Sequence, residues 1–432
     1  MNLTAGLTGL FPGRQLTRTG DRRRLTLVCE NYWPEVASTA QLITELAEGL
    51  THHFDVEVLA SQPRYHGKYD THPPDEVHNG VRIKRLWSTK FDKKRRLGRL
   101  ANWFSFLASA ALAVATRWKR QTYLFVTNPP TAPWVSLVTR LQRQRSFVLV
   151  HDLYPDLAIA LGMLDSASPQ AHAFDRLNVA ALRAATGVVA LGADMQDRLR
   201  AKLGSTARIE VIPNWADGDL ITARPKSSSA FAVENELTDK TVFLYAGNLG
   251  LFQDLEVLVE AVEGLDRRSK LRLVFVGDGR KRPVIEAAAR RSERVMLFDY
   301  LPHERLGDLY AAADVGLIAI EPGVEMVNMP SKTYSILASG RPFIAVAGNS
   351  RDLHRLAGLG AGIVVGNEAA QVRDAMRTLH RDVALRRSMG ANARQAYADN
   401  YTRARITAEY AELLLGKPSA VSSNESIELR PA

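Results

Sequence analysis

The sequence predicts an α/β protein of two parallel-sheet units that face each other across a cleft. Three observations predict it. Short runs rich in Val, Ile, Leu and Phe alternate with helix-like segments from residue 25 onward, the rhythm of a parallel sheet covered by helices on both faces. A loop-like stretch, residues 215–235 (WADGDLITARPKSSSAFAVEN), then breaks the series with Pro, Gly and a Ser triplet. Beyond it the same alternation starts again.

In the first unit, residues 24–214, strands are predicted at Leu25–Cys29, Val56–Ala60, Val81–Trp87, Tyr123–Thr127, Phe147–Val150, Gly187–Ala190 and Ile209–Ile212. A helix is expected from about Val36 to Leu50. In the second unit, 215–400, strands are predicted at Val242–Ala246, Leu273–Val276, Val295–Phe298, Val315–Ile318, Pro342–Val346 and Gly362–Val365. Its helices fall near Asp254–Gly264, Arg280–Arg291, Leu306–Ala312, Ser331–Ala338 and Gln371–His380. A last helix, 401–415, has no strand after it and is placed to pack back across the first unit. Residues 1–23 read as a flexible basic tail without the apolar stretch of a signal peptide. Residues 416–432, rich in Ser, Pro and Glu, read as a disordered end.

Apolar residues make up 46% and charged residues 24%, a globular composition with material for a large core. The single cysteine, Cys29, excludes an internal disulfide and a thiolate zinc site, and reads as a small buried apolar residue. Lys and Arg outnumber Asp and Glu by 56 to 46, a net charge of +10 that favours anionic partners. The basic residues are not interleaved with any nucleic-acid motif, so nucleic acid is not the expected partner. The longest uncharged run, Leu100–Thr116, is 17 residues, at the lower limit for a bilayer span, and contains Asn102, Ser105 and Ser109. Lys93, Lys94, Arg95, Arg96 and Arg99 precede it, and Trp103 and Phe104 lie within it. A basic, aromatic helix of this kind lies flat on an anionic leaflet; the plainer reading is a helix packed on the sheet with solvated charges at its ends.

Ligands of open parallel sheets sit beyond the carboxyl ends of the strands, so the residues there carry the chemistry. In the second unit the first strand ends in Gly247-Asn248-Leu249-Gly250, whose glycine lets backbone amides approach a phosphate. The next ends in Gly277-Asp278-Gly279, which is not a dinucleotide fingerprint, and no phosphate-binding GxxxxGK[ST] loop occurs. Pro330-Ser331-Lys332 opens a predicted helix, where a hydroxyl, a cation and free amides suit a pyrophosphate; the plainer reading is a capped helix. In the first unit His151 and Asn128 follow strands; a lone His is usually structural, but one at a strand end can also bond a sugar hydroxyl or a phosphate. Asp217-Gly218-Asp219 reads as a solvated turn of the linker and not as a metal triplet.

Taken in order, Glu30-NYWPE, His151-DLYPD-Asp156, Ile212-PNW, Tyr245-AGNLG, Val276-GDG, Ala313-Asp314-Val315 and Pro330-SKTYSILASGRP resemble the retaining family 4 glycosyltransferases of the GT-B fold. The branch they resemble assembles bacterial exopolysaccharide, capsule or O-antigen, and the likeness spans about 25–415. It implies two Rossmann-like domains, a nucleotide diphosphate sugar as donor substrate, no further cofactor and no metal. It also implies a glycan acceptor on undecaprenyl diphosphate, and hence a cytoplasmic enzyme peripheral on the inner membrane. By the same resemblance Gly247, Asn248, Ser331 and Lys332 stabilise the departing diphosphate, Gly277 and Asp278 line the donor loops, backbone at Tyr300 and Leu301 receives the base, and Ser335 lies near the ribose. Glu325 and His151 contact the sugar, and Lys332, Glu325 and His151 form the expected catalytic set. Ala37 and Ser38 stand where the family has a Gly pair, and with Asn128 form the acceptor-side loops. Ser335 stands at the ribose-binding Glu of the family, and Asn248 and Gln253 at its Arg and Lys. A nucleotide-sugar 2-epimerase and a non-catalytic nucleotide-sugar-binding scaffold remain alternatives on the same fold.

Overall fold

The computed structural model describes residues 22–35, 37–63, 72–92, 95–266, 268–327 and 329–417. Lys93, Lys94 and most of both predicted tails lie outside the described residues. The first sheet has eight strands: β1 (Arg24–Val28), β2 (Asp55–Ala60), β3 (Asp75–His78), β4 (Val81–Arg85), β5 (Thr122–Val126), β6 (Arg145–Val150), β7 (Gly187–Ala190) and β8 (Ile209–Val211). Their spatial order is β3-β4-β2-β1-β5-β6-β7-β8. All neighbours are parallel except β3, which pairs antiparallel with β4. Sequence reading did not find β3. Its signal was Asn79-Gly80, both at positive φ (46° and 82°), the backbone of a two-residue hairpin turn.

The second sheet is parallel throughout, with β9 (Thr241–Ala246), β10 (Leu271–Val276), β11 (Val295–Phe298), β12 (Val315–Ala319), β13 (Phe343–Val346) and β14 (Gly362–Val365) in the order β11-β10-β9-β12-β13-β14. The central strands β5 and β12 are buried along their whole length, because helices cover both faces and an alternating pattern would leave polar residues dry. Both sheets reverse their winding direction next to their first strand, between β1 and β5 and between β9 and β12. That switch point opens a crevice at the carboxyl edge, where a ligand fits.

Helix α1 (Ser38–Leu50) follows β1, and α2 (Arg96–Ala115) connects β4 to β5. The helix Arg403–Leu415 packs on α1, and its Arg403 Nη2 donates to the Glu45 carbonyl at 3.2 Å and pairs with Glu48. The helix Val383–Asn400, which sequence reading left without an element, lies against Lys332–Ala338 and donates from Tyr397 Oη to the Ala216 carbonyl at 3.0 Å.

The two halves also meet beyond β7 and β13 through a reciprocal cap. Asp352 accepts from the Ala193 and Asp194 amides at 3.0 and 3.1 Å, closing the start of Ala193–Leu203. Asp194 in turn accepts from the Ser350 hydroxyl and the Asp352 amide at the start of Arg351–Gly358. A side chain at Gly192 would collide with the Asp352 carboxylate.

Candidate active site

Every expected site residue outside the α2 set except Ser335 falls in a loop or first helical turn beyond a strand's carboxyl end, which is what the winding of the sheets dictates. On the second-unit side, Gly247 follows β9 at φ +130°. A Cβ there would lie 3.4 Å from Cε and 3.6 Å from Nζ of Lys332, so the absent side chain leaves room for this ammonium. Lys332 opens the helix Lys332–Ala338, and its Nζ stands 3.5 Å from the centroid of the Tyr245 ring, over the face. Among the described residues no carboxylate pairs with it. Burial lowers its pKa from 10.5 to about 7, since the charged form has lost water and gained only a ring quadrupole.

Ser331 differs from its expected role. Its backbone is already helical and its hydroxyl caps no amide. It bonds the Ser38 hydroxyl of the first unit at 2.8 Å, so the acceptor-side loop and the Lys332 helix touch. The Thr333 and Tyr334 amides are taken by the Pro330 and Ser331 carbonyls, so the anion cradle is narrower than a fully open first turn. Gly277 also serves packing. It lies at φ +150°, and a Cβ would collide with the Gly247 carbonyl oxygen, because the loops after β9 and β10 are zipped by Gly247 N to Val276 O and Leu249 N to Asp278 O, both 2.9 Å. Tyr300 is 49% exposed and reaches the Asp278 carbonyl at 3.4 Å, and Leu301 packs at the core edge below it. Asn248 is exposed at the tip of its loop. Ser335 lies one helical turn beyond Lys332, beside the Tyr310 hydroxyl.

On the first-unit side, His151 follows β6 and is 7% exposed. Thr127 Oγ1 accepts from the His151 and Asp152 amides at 2.9 and 3.3 Å, fixing the loop. Its Nε2 is sealed from solvent with no partner. Burial lowers its pKa to about 4, so near neutral pH it is an uncharged imidazole. Asn128 uses its carbonyl to accept from Glu30 N at 2.6 Å, tying the β1 and β5 loops together. Ala37 and Ser38 are exposed at the start of α1.

Glu325 lies in the loop after β12 and is 4% exposed. One carboxylate oxygen accepts from Gly323 N at 2.7 Å; the other is buried without a partner. Its neighbour Glu321 is spent on Lys281 at 3.1 Å. The same loop touches the His151 loop, Leu153 N donating to Val327 O at 3.4 Å. Both walls thus carry a buried polar atom with no protein partner, a costly state that a bound ligand would relieve.

Cys29 is fully buried and its thiol is pushed up to about 12, so it carries no chemistry at neutral pH. Asp217 accepts the Asp219 and Leu220 amides at 2.9 and 3.1 Å, the turn expected of it. With Glu45 and His303 it brings ligand atoms within 4.8 Å of one another, a group that sequence reading did not assemble because its members come from three separate segments. Glu45 is already held by Trp215 Nε1 at 2.6 Å, and Asp217 by its own turn.

In α2 the exposed face differs from the expected one. Trp103 turns inward, edge-on to Tyr154 at 6.3 Å. The exposed apolar residues are Leu97, Leu100, Phe104 and Leu112, at helical spacing, followed by Trp118, which is 83% exposed. The helix is long and apolar enough to cross a membrane, and only 22% of its apolar window is buried.

Residues 39–215 match the model of the glycosyl transferase 4-like domain, and residues 240–382 that of the glycosyl transferases group 1 domain. The chain is 28% identical over 270 residues to a probable glycosyltransferase, WbjE, of Pseudomonas aeruginosa (61% of this chain, 67% of that one). It is 25% identical over 370 residues to WcaI of Escherichia coli, described as a putative colanic acid biosynthesis glycosyl transferase (79% and 88%). Its fold matches Anabaena HepE in complex with UDP-glucose at a TM-score of 0.67 and 15% identity, over 91% of this chain and all of the other.

Proposed function

The chain belongs to the family 4 glycosyltransferases of the GT-B fold, and on that premise we propose that it moves a sugar, with retention, from a nucleotide diphosphate sugar to a glycan carried on polyprenyl diphosphate. The observation that carries this reading is the Lys332 ammonium, half-buried over the Tyr245 ring, unpaired among the described residues, and facing the gap that Gly247 leaves. As the glycosidic bond breaks, negative charge grows on the diphosphate. A cation already partly desolvated and aimed there stabilises the transition state with little reorganisation. The uncharged His151 imidazole offers Nε2 to a sugar hydroxyl or phosphate oxygen and does not serve as a cationic acid at neutral pH. Glu325 accepts from sugar hydroxyls through its free oxygen. Tyr300 and Leu301 flank the base, and Ser335 the ribose. Contact between Ser38 and Ser331 holds the two lobes together beside the donor, and the donor phosphate acts as base on the attacking hydroxyl, with no metal taking part.

The acceptor reading is supported by α2, where an apolar stripe of Leu97, Leu100, Phe104 and Leu112 begins beside Arg95 and Arg96. We assign that face to an anionic leaflet on the cytoplasmic side of a membrane. The test is a panel of nucleotide sugars incubated with a membrane extract of lipid-linked glycan. Transfer is expected with one donor and is lost in His151→Ala while the fold is retained. Appearance of an epimer without acceptor, or no turnover with any donor, overturns the reading. Replacing Arg95 and Arg96 by Ser removes two cations worth about 1 kcal/mol each at an anionic surface, so sedimentation with anionic vesicles falls roughly 30-fold. Soluble nucleotide binding stays unchanged, and undiminished sedimentation refutes the docking face.

A further inference from the structure

Arg99 lies at the cleft end of α2, and its charge is unspent. Its guanidinium carbon sits 5.5 Å from the Trp103 ring centroid, over the face. Its Nε is sealed from solvent with no hydrogen-bond partner, and among the described residues its side chain forms no ion pair. Trp103 is itself held edge-on by Tyr154, three residues beyond His151, and its carbonyl accepts from Thr131 Oγ1 at 3.4 Å. Burial pushes the Tyr154 hydroxyl up to about 12, and the nearby Arg99 charge offsets part of that rise. On one side of Arg99, Leu97, Leu100 and Phe104 are exposed; on the other stands the His151 loop. A buried N–H with no acceptor costs free energy, and a guanidinium stacked on an indole is pre-ordered to grip a phosphate with its planar fork.

We propose that Arg99, stacked on Trp103, binds the diphosphate of the prenyl-linked acceptor. This rests on the reading that the acceptor is lipid-linked. A prenyl chain lying along the apolar stripe puts its diphosphate where the stripe ends and the cleft begins, and Arg99 occupies that junction. The donor diphosphate is held on the opposite lobe by Lys332, so the two anions are served by different cations. Arg99 is then a positioning residue: it sets where the acceptor hydroxyl arrives and takes no part in bond breaking.

The test titrates the full chain with farnesyl diphosphate, farnesol and inorganic pyrophosphate, reading tryptophan emission. A Trp103→Phe variant assigns the signal among the six tryptophans. Farnesyl diphosphate is expected to quench Trp103 and farnesol not to. Arg99→Gln should weaken farnesyl diphosphate at least about tenfold, the loss expected for a charge-assisted hydrogen bond, and Arg99→Lys should recover it only in part. Binding of UDP and GDP, measured by calorimetry, stays at the wild-type value in both variants. Farnesyl diphosphate affinity that survives Arg99→Gln, falls instead in Lys332→Met, or is matched by farnesol overturns the assignment. Nucleoside diphosphate binding without any farnesyl diphosphate binding also overturns it and leaves the donor site standing. Loss of both kinds of binding in the wild type defeats the broader reading.

Discussion

Replacing Lys332 by Met removes the group on which the proposed donor site turns, and the structure sets the size of the effect. In the free protein the ammonium has a pKa of about 7, because burial beside Tyr245 penalises its charge. At pH 8 about nine-tenths of the molecules therefore carry a neutral Lys332. A bound diphosphate supplies the missing counter-charge and returns the pKa toward 10.5, so binding must draw about 0.9 of a proton from the buffer at pH 8. The terminal phosphate of a nucleoside diphosphate is already ionised at that pH, so it does not mask the uptake. Calorimetry of UDP and GDP at pH 8, in buffers of different ionisation enthalpy, reads the number as a slope. Lys332→Met should abolish the slope and, by removing a charge-assisted hydrogen bond worth about 1.5–3 kcal/mol, weaken binding by roughly 10- to 150-fold. The sign for stability is fixed too. A lysine depressed to about 7 costs the apo fold most below that pH, and the cost fades as pH rises toward 10.5. The Met variant is therefore more stable than wild type at pH 6, and less so by comparison at pH 9. No proton uptake in the wild type, or undiminished affinity in the variant, refutes the argument.

His151, lowered to about 4 against an unfolded value of 6.5, leaves the native state with fewer protons than the unfolded state between those limits. Wild-type Tm should fall as pH drops from 6.5 toward 4, less steeply in His151→Gln, and parallel curves would show that the ring is not buried neutral. Gly277→Ala forces a methyl group against the Gly247 carbonyl at φ +150°, so unfolding in urea should show a loss of about 1–3 kcal/mol together with weakened nucleoside diphosphate binding; a fully stable variant would mean that the loops after β9 and β10 are not zipped. Asp352→Ala uncaps Ala193–Leu203, and an N-cap deletion of about 0.5–2 kcal/mol is expected. Because the cap joins the two halves, small-angle scattering should also show a larger radius of gyration, and an unchanged radius would show that other contacts hold them.

The placement of the site was legible in the chain because it depends on local order. Residues after a buried parallel strand emerge at the carboxyl edge whatever the remaining contacts, and Gly247, His151 and Glu325 all follow strands that short apolar runs made visible. Helix Val383–Asn400 carries little hydrophobic contrast in the sequence, because apart from Tyr397 its buried residues are the small Gly390, Ala393 and Ala396. Trp103 was assigned to the membrane face because an aromatic beside basic residues carries no local mark of which way its helix is turned. That is decided by Tyr154, more than fifty residues away.

By itself, the order of residues determined two strand-helix series forming parallel sheets, and the types of side chain at their edges. Periodicity and glycine placement act over a few neighbours and need no partner. Tertiary structure alone decided which of those groups are charged, paired or free. The Lys332 ammonium over Tyr245, the Ser38–Ser331 bridge, the Asp194–Asp352 exchange and the orphaned nitrogens of His151 and Arg99 each arise where distant segments meet. Desolvation is a property of the whole fold around a group, and no stretch of sequence carries it.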